Sequence, residues 1–72
     1  MHDATARLKN GTVLQAALWT WRPSEGWFEL LEGGKIRLAD VVSLTQEERT
    51  HPGVVEVVDL LQRARDQGWD GT

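Results

Sequence analysis

The 72-residue chain has no cysteine, two histidines, and no apolar run near the ~20 residues that span a bilayer. Without cysteine, a disulfide framework and a thiol nucleophile are excluded, and His2 and His51 alone cannot complete a zinc knuckle. We therefore expect a fold held by burial, with no metal and no cofactor. Residues 1–5 carry an acid and no hydrophobic core, so a cytoplasmic protein without membrane association is expected.

The sequence also lacks a recognisable catalytic motif. Neither Ser24 nor Ser43 lies in a Gly-x-Ser-x-Gly elbow. The segment Glu32-Gly33-Gly34-Lys35 lacks the spacing of a phosphate loop and is better explained as a hairpin turn. His51 follows Glu47 by four residues, but most such pairs are solvated neighbours. These observations predict that the protein is not an enzyme.

The charge distribution is unlike that of a nucleic-acid-binding protein. The net charge is −3 and the isoelectric point is about 5.2. Residues 1–45 contain five cations and five acids, whereas residues 46–72 contain three arginines and six acids. Because nucleic-acid binders generally present a basic surface, this balance favours a protein partner.

The first half of the chain has the alternation and the turn residues of a β-meander. We predict strands at about 4–9, 12–21, 27–31 and 35–44, with a possible bend at Ala39-Asp40. Asn10-Gly11 predicts a type I′ hairpin turn, and the segments 22–26 and 32–35 provide the other two reversals.

The second half has a different period. Thr45-Gln46-Glu47-Glu48 matches a helical capping box, and Pro52 suits the first position of a helix over about 52–67 that ends at Gly68. Apolar residues at three- and four-residue steps form one stripe of Val54, Val57, Val58, Leu61 and Ala64, which Trp69 would extend. On the opposite side, Asp59 and Arg63 have the i, i+4 spacing of a helical ion pair. The β-branched run 54–58 is also compatible with a fifth strand that leads into a shorter helix, and we favour a helix throughout.

Together these patterns predict a single domain, 1–72, of the mostly β with α (α+β) class. Its core would be a small, strongly bent antiparallel sheet or barrel of four to five strands with a C-terminal amphipathic helix.

Three of the four tryptophans lie between Leu18 and Leu31, where both faces of the hairpin are apolar. If Trp21 and Trp27 are cross-strand partners, alternation places them on one face with Trp19, Val13, Ala17 and Leu31. The other face then carries Leu14, Ala16, Leu18, Phe28 and Leu30. One face would fill the core, and the helix or a partner would cover the other. We expect Trp19 to be buried, and either outcome is open for Trp21 and Trp27.

Two segments carry a resemblance to a known superfamily. The segment 6–16, ARLKNGTVLQA, and the segment 35–44, KIRLADVVSL, resemble the strand–turn–strand and the strand ending of Sm-like and SH3-like small β-barrels. This implies a small barrel over roughly the first 44 residues. The RNA-contacting signatures of the ring-forming members are missing, and the helix would follow the barrel, so the resemblance does not imply an RNA-binding ring. Residues 8–11 and 35–40 are similar to the Rho-inhibitor group, whose members bind a transcription factor.

We therefore predict a non-enzymatic adaptor or inhibitor that acts through protein–protein contact. The predicted contact residues are Trp21, Arg22, Glu25 and Trp27, with Glu56, Asp59 or Asp66 steering a basic partner. Self-association is a rival use of the same apolar face. The alternative is a single-stranded nucleic-acid binder that stacks bases on Trp21 and Trp27 and contacts phosphates through Arg7, Lys9, Arg22 and Arg37.

Overall fold

A computed structural model describes residues 3–32 and 34–71 as one antiparallel sheet and one short helix. The elements are β1 (Asp3–Leu8), β2 (Val13–Arg22), β3 (Trp27–Leu30), β4 (Gly34–Arg37), β5 (Val41–His51), β6 (Val54–Asp59) and α1 (Leu60–Asp66). The strand order is β4-β3-β2-β1-β5-β6. The predicted mixture of antiparallel sheet and C-terminal helix is confirmed. The described residues form six strands rather than four or five, and the sheet is not closed, because β4 and β6 are separate edges.

The turn between β1 and β2 is a hairpin turn at the predicted place but of a different type. A type I′ turn needs positive φ at both Asn10 and Gly11, whereas among the described residues only glycines have positive φ, and Gly11 is at 92°. The N–H of Gly11 donates to the carbonyl of Leu8 at 3.0 Å, and the N–H of Thr12 donates to Asn10 Oδ1 at 2.9 Å. This is a type I turn closed by a left-handed glycine, the usual three-residue hairpin loop.

The predicted strand 35–44 is divided by a bend. β4 ends at Arg37, a 3₁₀ turn covers Leu38–Asp40, and β5 then pairs with β1 instead of β3. The bend expected at Ala39-Asp40 is therefore present, and it moves the chain from one end of the sheet to the other side of β1.

Residues 52–59 of the helix predicted over 52–67 are not helical, and the predicted capping box at 45–48 is wrong; residues 60–66 are helical. Residues 45–48 continue β5, and 54–59 form β6, which pairs with β5 from Thr45↔Asp59 to His51↔Val54. Pro52-Gly53 is the hairpin turn, with Gly53 at φ 81°, the positive value that the third residue of a type II turn requires. Four β-branched valines in one short segment favour this extended conformation.

The helix that does form has seven residues, Leu60–Asp66, and Asp59 is the residue before it. The Asp59 carboxylate accepts the backbone N–H groups of Leu61 at 3.0 Å and Gln62 at 3.3 Å, so this residue is the N-cap and not the partner of Arg63. No helix within residues 3–32 and 34–71 is long and apolar enough to cross a membrane.

The core lies on one side of the sheet, between the strands and α1. Phe28 and Leu30 are buried there, and Leu14, Ala16 and Leu18 pack against them, as alternation predicted. The helix covers this same side rather than the Trp19 side. The buried cluster comprises Ala4, Ala6, Phe28, Leu30, Ile36, Leu38, Val41, Leu44, Leu60, Ala64 and Trp69.

An ion pair joins α1 to the sheet. Arg63 Nη1 lies 2.7 Å from Glu48 Oε1 on β5. The hydrogen bond and the charge of Glu48 raise the pKa of Arg63, against a smaller opposing effect of burial. Arg63 therefore stays cationic at all ordinary pH values and holds the helix against β5.

Candidate protein-binding surface

Trp21 belongs to the core side of the hairpin because of a β-bulge. The register of β2 and β3 shifts between Leu18 and Thr20, so that Trp21 pairs with Phe28 and not with Trp27. The rings of Trp21 and Phe28 are 6.3 Å apart, and Trp21 Nε1 donates to Gln67 Oε1 at 2.6 Å. Trp21 therefore joins the hairpin to the segment after α1, and the prediction that it shares a face with Trp19 is wrong.

Trp19 lies on the outer side of the sheet, the side that α1 does not cover. Its side chain is 68% exposed, so the expectation that it is buried is wrong. Leu31 is 51% exposed, and its N–H donates to the carbonyl of Ala17 at 2.8 Å. Trp19 is two residues from Ala17 along β2, so Trp19 and Leu31, which directly follows β3, lie near each other. An indole and a leucine are thus exposed together on the outer side.

Trp27 lies on the same outer side, among cations. Arg22 and Arg37 are its register partners on β2 and β4. Lys35 Nζ lies 4.3 Å from the centre of the Trp27 ring, which is a cation–π contact. Trp27 itself is half-buried. We call the outer side of β2–β4, defined by Trp19, Arg22, Trp27, Glu29, Leu31, Lys35 and Arg37, the outer surface.

The tip of the hairpin borders this surface. Pro23–Glu25 forms a 3₁₀ turn, and Gly26 closes it at φ 82° by donating its N–H to the carbonyl of Pro23 at 3.0 Å. The exposed side chains of Arg22 and Glu25 approach to 4.0 Å. The turn therefore presents one cation and one acid side by side, and a pair this exposed contributes little to stability.

An open groove of about 580 Å³ lies between the β1–β2 turn and the β4 edge. Leu8, Leu14 and Ile36 contribute its apolar lining. Its charged lining residues are Lys9, Lys35, Arg37 and Asp40. Lys35 was not among the residues predicted to form a site, because its relation to Trp27 depends on the pairing of β3 with β4.

The residues of the nucleic-acid alternative are only partly brought together. Arg22 and Arg37 flank Trp27, and Lys9 and Arg37 line the same groove. Arg7 lies on β1, paired with Val13 and Ser43, away from this cluster.

The acids predicted to steer a basic partner lie on β6 and α1, away from the outer surface. Asp59 is engaged in capping α1, and Asp66 accepts a 3.3 Å hydrogen bond from Gln62. Glu56 is exposed on β6. Two of the three acids therefore serve α1 itself.

His51 and Glu47, the pair with helical spacing in the sequence, lie far apart along one strand. Four residues of β5 span about 13 Å, so the imidazole and the carboxylate do not form a helical pair. Residues 3–32 and 34–71 contain no group of three or more His, Cys, Asp or Glu side chains that could hold a metal ion.

Comparison of the chain with family models, with curated proteins and with solved structures finds no match.

Proposed function

We propose that this protein is a non-enzymatic binding module that contacts a protein partner through the outer surface of β2–β4. The observation that carries the proposal is Trp19, whose indole is 68% exposed on a sheet strand. Tryptophan is the residue type most enriched at the centres of protein interfaces, because it supplies a large apolar area with few rotatable bonds.

The surroundings of Trp19 support an interface with a defined chemistry. Leu31 extends the apolar area on one side, and the row Arg22, Trp27 and Arg37 lies on the other. An apolar centre with a charged rim is the usual arrangement of a non-obligate interface. Since the cations on this surface outnumber its one acid, Glu29, the partner would combine an apolar pocket with acidic side chains.

The residues expected from the sequence keep different roles in this proposal. Arg22, Glu25 and Trp27 remain contact residues at the hairpin tip. Trp21 acts indirectly, because its bond to Gln67 fixes the hairpin against the segment after α1. The kinship with Sm-like proteins, the adaptor or inhibitor role and the cytoplasmic location stay proposals that rest on the resemblance of residues 6–16 and 35–44 and on the composition.

The test is affinity capture from the cells that make the protein, with Trp19→Ala and Val42→Ala as paired variants. Both side chains are more than 60% exposed, at 68% and 63%, so neither change should unfold the chain. We expect one specific protein to be retained by the wild type and by Val42→Ala and to be lost with Trp19→Ala. Capture of the same proteins by all three would refute the proposal.

A second candidate function is single-stranded nucleic-acid binding, favoured by the row Arg22–Trp27–Arg37. A base stacked on an indole contributes about 1–3 kcal/mol, and two flanking cations would hold the phosphates. Two observations oppose it: Lys35 already covers a face of Trp27, and Glu25 lies 4.0 Å from Arg22. Titration of oligonucleotides at low salt, followed by tryptophan fluorescence, decides this. Quenching that Trp27→Ala abolishes would favour nucleic acid, and an unchanged emission would exclude it.

A further inference from the structure

The two edges of the sheet are protected to different degrees. β4 is a four-residue edge that carries Lys35 and Arg37, and charged side chains on a short edge discourage pairing with another chain. β6 is a six-residue edge with three exposed valines, of which Val57 is 68% and Val55 54% exposed. No strand within residues 3–32 and 34–71 pairs with the edge of β6 that faces away from β5. Its unpaired backbone groups and apolar side chains therefore form a template for a further strand.

The sequence of this edge identifies what it fits. Residues 54–58 read Val-Val-Glu-Val-Val, which is the same in both directions. In an antiparallel pair of two identical strands centred on Glu56, Val54 lies opposite Val58, and Val55 lies opposite Val57, each pair occurring twice. A shift of the centre to Val55 or Val57 leaves one valine–valine pair and sets other valines against Glu56. The palindrome therefore selects one register for two copies of the same chain.

This register also keeps the two sheets continuous. Val55 and Val57 project from the same side of β6, because alternate residues of a strand share a face. Pairing Val55 with Val57 of the second copy joins like face to like face, which a two-fold axis perpendicular to the sheet requires. The unfavourable contact is Glu56 against Glu56 of the second copy, a like-charge pair that lies beside Glu48, the register partner of Glu56 on β5.

We propose that the chain self-associates as a two-fold symmetric dimer through antiparallel pairing of β6 with β6 of a second copy, centred on Glu56. The contact is small, and small interfaces belong to weak, reversible associations. The dimer is therefore expected to dissociate on dilution. It uses a different edge from the outer surface of β2–β4 and does not depend on the function proposed above.

The test is sedimentation velocity on the purified chain from about 10 μM to about 1 mM, which covers the weak end of specific association. Val57→Lys replaces a valine that has two cross-strand contacts per dimer. We therefore expect the dissociation constant of the dimer to rise at least about tenfold. Glu56→Gln removes the central like-charge pair, and we expect the dissociation constant of the dimer to fall about threefold. Val42→Lys is the matched control, because Val42 is similarly exposed but lies on β5, outside the proposed contact.

Hydrogen exchange of the β6 amides supplies a second measurement. We expect the protection of these amides to rise with protein concentration in the wild type and not in Val57→Lys. A monomer at every concentration would overturn the proposal. So would a dimer that Trp19→Ala abolishes and Val57→Lys leaves intact, since association would then use the outer surface. Equal weakening by Val57→Lys and Val42→Lys would also overturn it. Far-UV circular dichroism on each variant separates loss of the dimer from loss of the fold.

Discussion

Replacing Trp21 by alanine should cost far more stability than replacing Trp19, although the two residues are separated by one position. Trp21 is half-buried, contacts the Phe28 ring at 6.3 Å between centroids, and donates its indole N–H to Gln67 at 2.6 Å. Burial of most of the indole contributes roughly 1–2 kcal/mol, the ring contact about 0.5–1.5, and the hydrogen bond about 0.5–1.5. We therefore expect Trp21→Ala to lower the free energy of unfolding by about 3 kcal/mol.

Trp19 has 68% of its surface in water, so Trp19→Ala should change the same free energy by about 0.5 kcal/mol or less. A chain of this length is stable by roughly 4–11 kcal/mol, so the loss at Trp21 is a large fraction of the total. Urea unfolding followed by far-UV circular dichroism measures both, since fluorescence would change with the removal of either indole. Equal losses for the two variants, or a larger loss for Trp19→Ala, would refute the bulge-based assignment of the two faces.

Two further changes test how α1 is held. Asp59→Ala removes the acceptor of the two N-cap hydrogen bonds and should lower the free energy of unfolding by about 1 kcal/mol. Asp59→Asn keeps an acceptor oxygen and should lower it by less. Identical losses for the two variants in urea unfolding would contradict this. A double-mutant cycle with Arg63→Met and Glu48→Gln should give a coupling of about 0.5–1 kcal/mol, because both side chains remain about one-third exposed. A coupling near zero would show that this pair does not hold α1.

The first half of the fold could be predicted because its signals are local. Alternation along 4–9 and 12–21, with Asn10-Gly11 between them, indicates a hairpin whatever lies elsewhere in the chain. The core face also followed from alternation, since Leu14, Ala16 and Leu18 share a side with Phe28 and Leu30 as expected. The turn type was missed because Asn10 takes an ordinary φ when the loop has three residues.

The helix predicted over 52–67 was wrong at residues 52–59 because two patterns overlap in that segment. Val54, Val57 and Leu61 have helical spacing, but Pro52-Gly53 followed by four β-branched residues is also the sequence of a hairpin. Neither local pattern excludes the other. Pairing with β5 decided between them, because β5 supplies cross-strand partners from Thr45 to His51. The sequence allowed a strand over 54–58 as the alternative and could not rank it first.

The positions of the tryptophans depended most on tertiary structure. A bulge of one residue between Leu18 and Thr20 turns Trp21 toward the core and leaves Trp19 in water, and no local signal in the sequence marks that bulge. The sequence by itself determined the class of the fold, the first hairpin and the residues of its core face. The bulge, the β5–β6 pairing and the contact of Lys35 with Trp27 were decided by the tertiary structure, because each depends on which strand lies beside which.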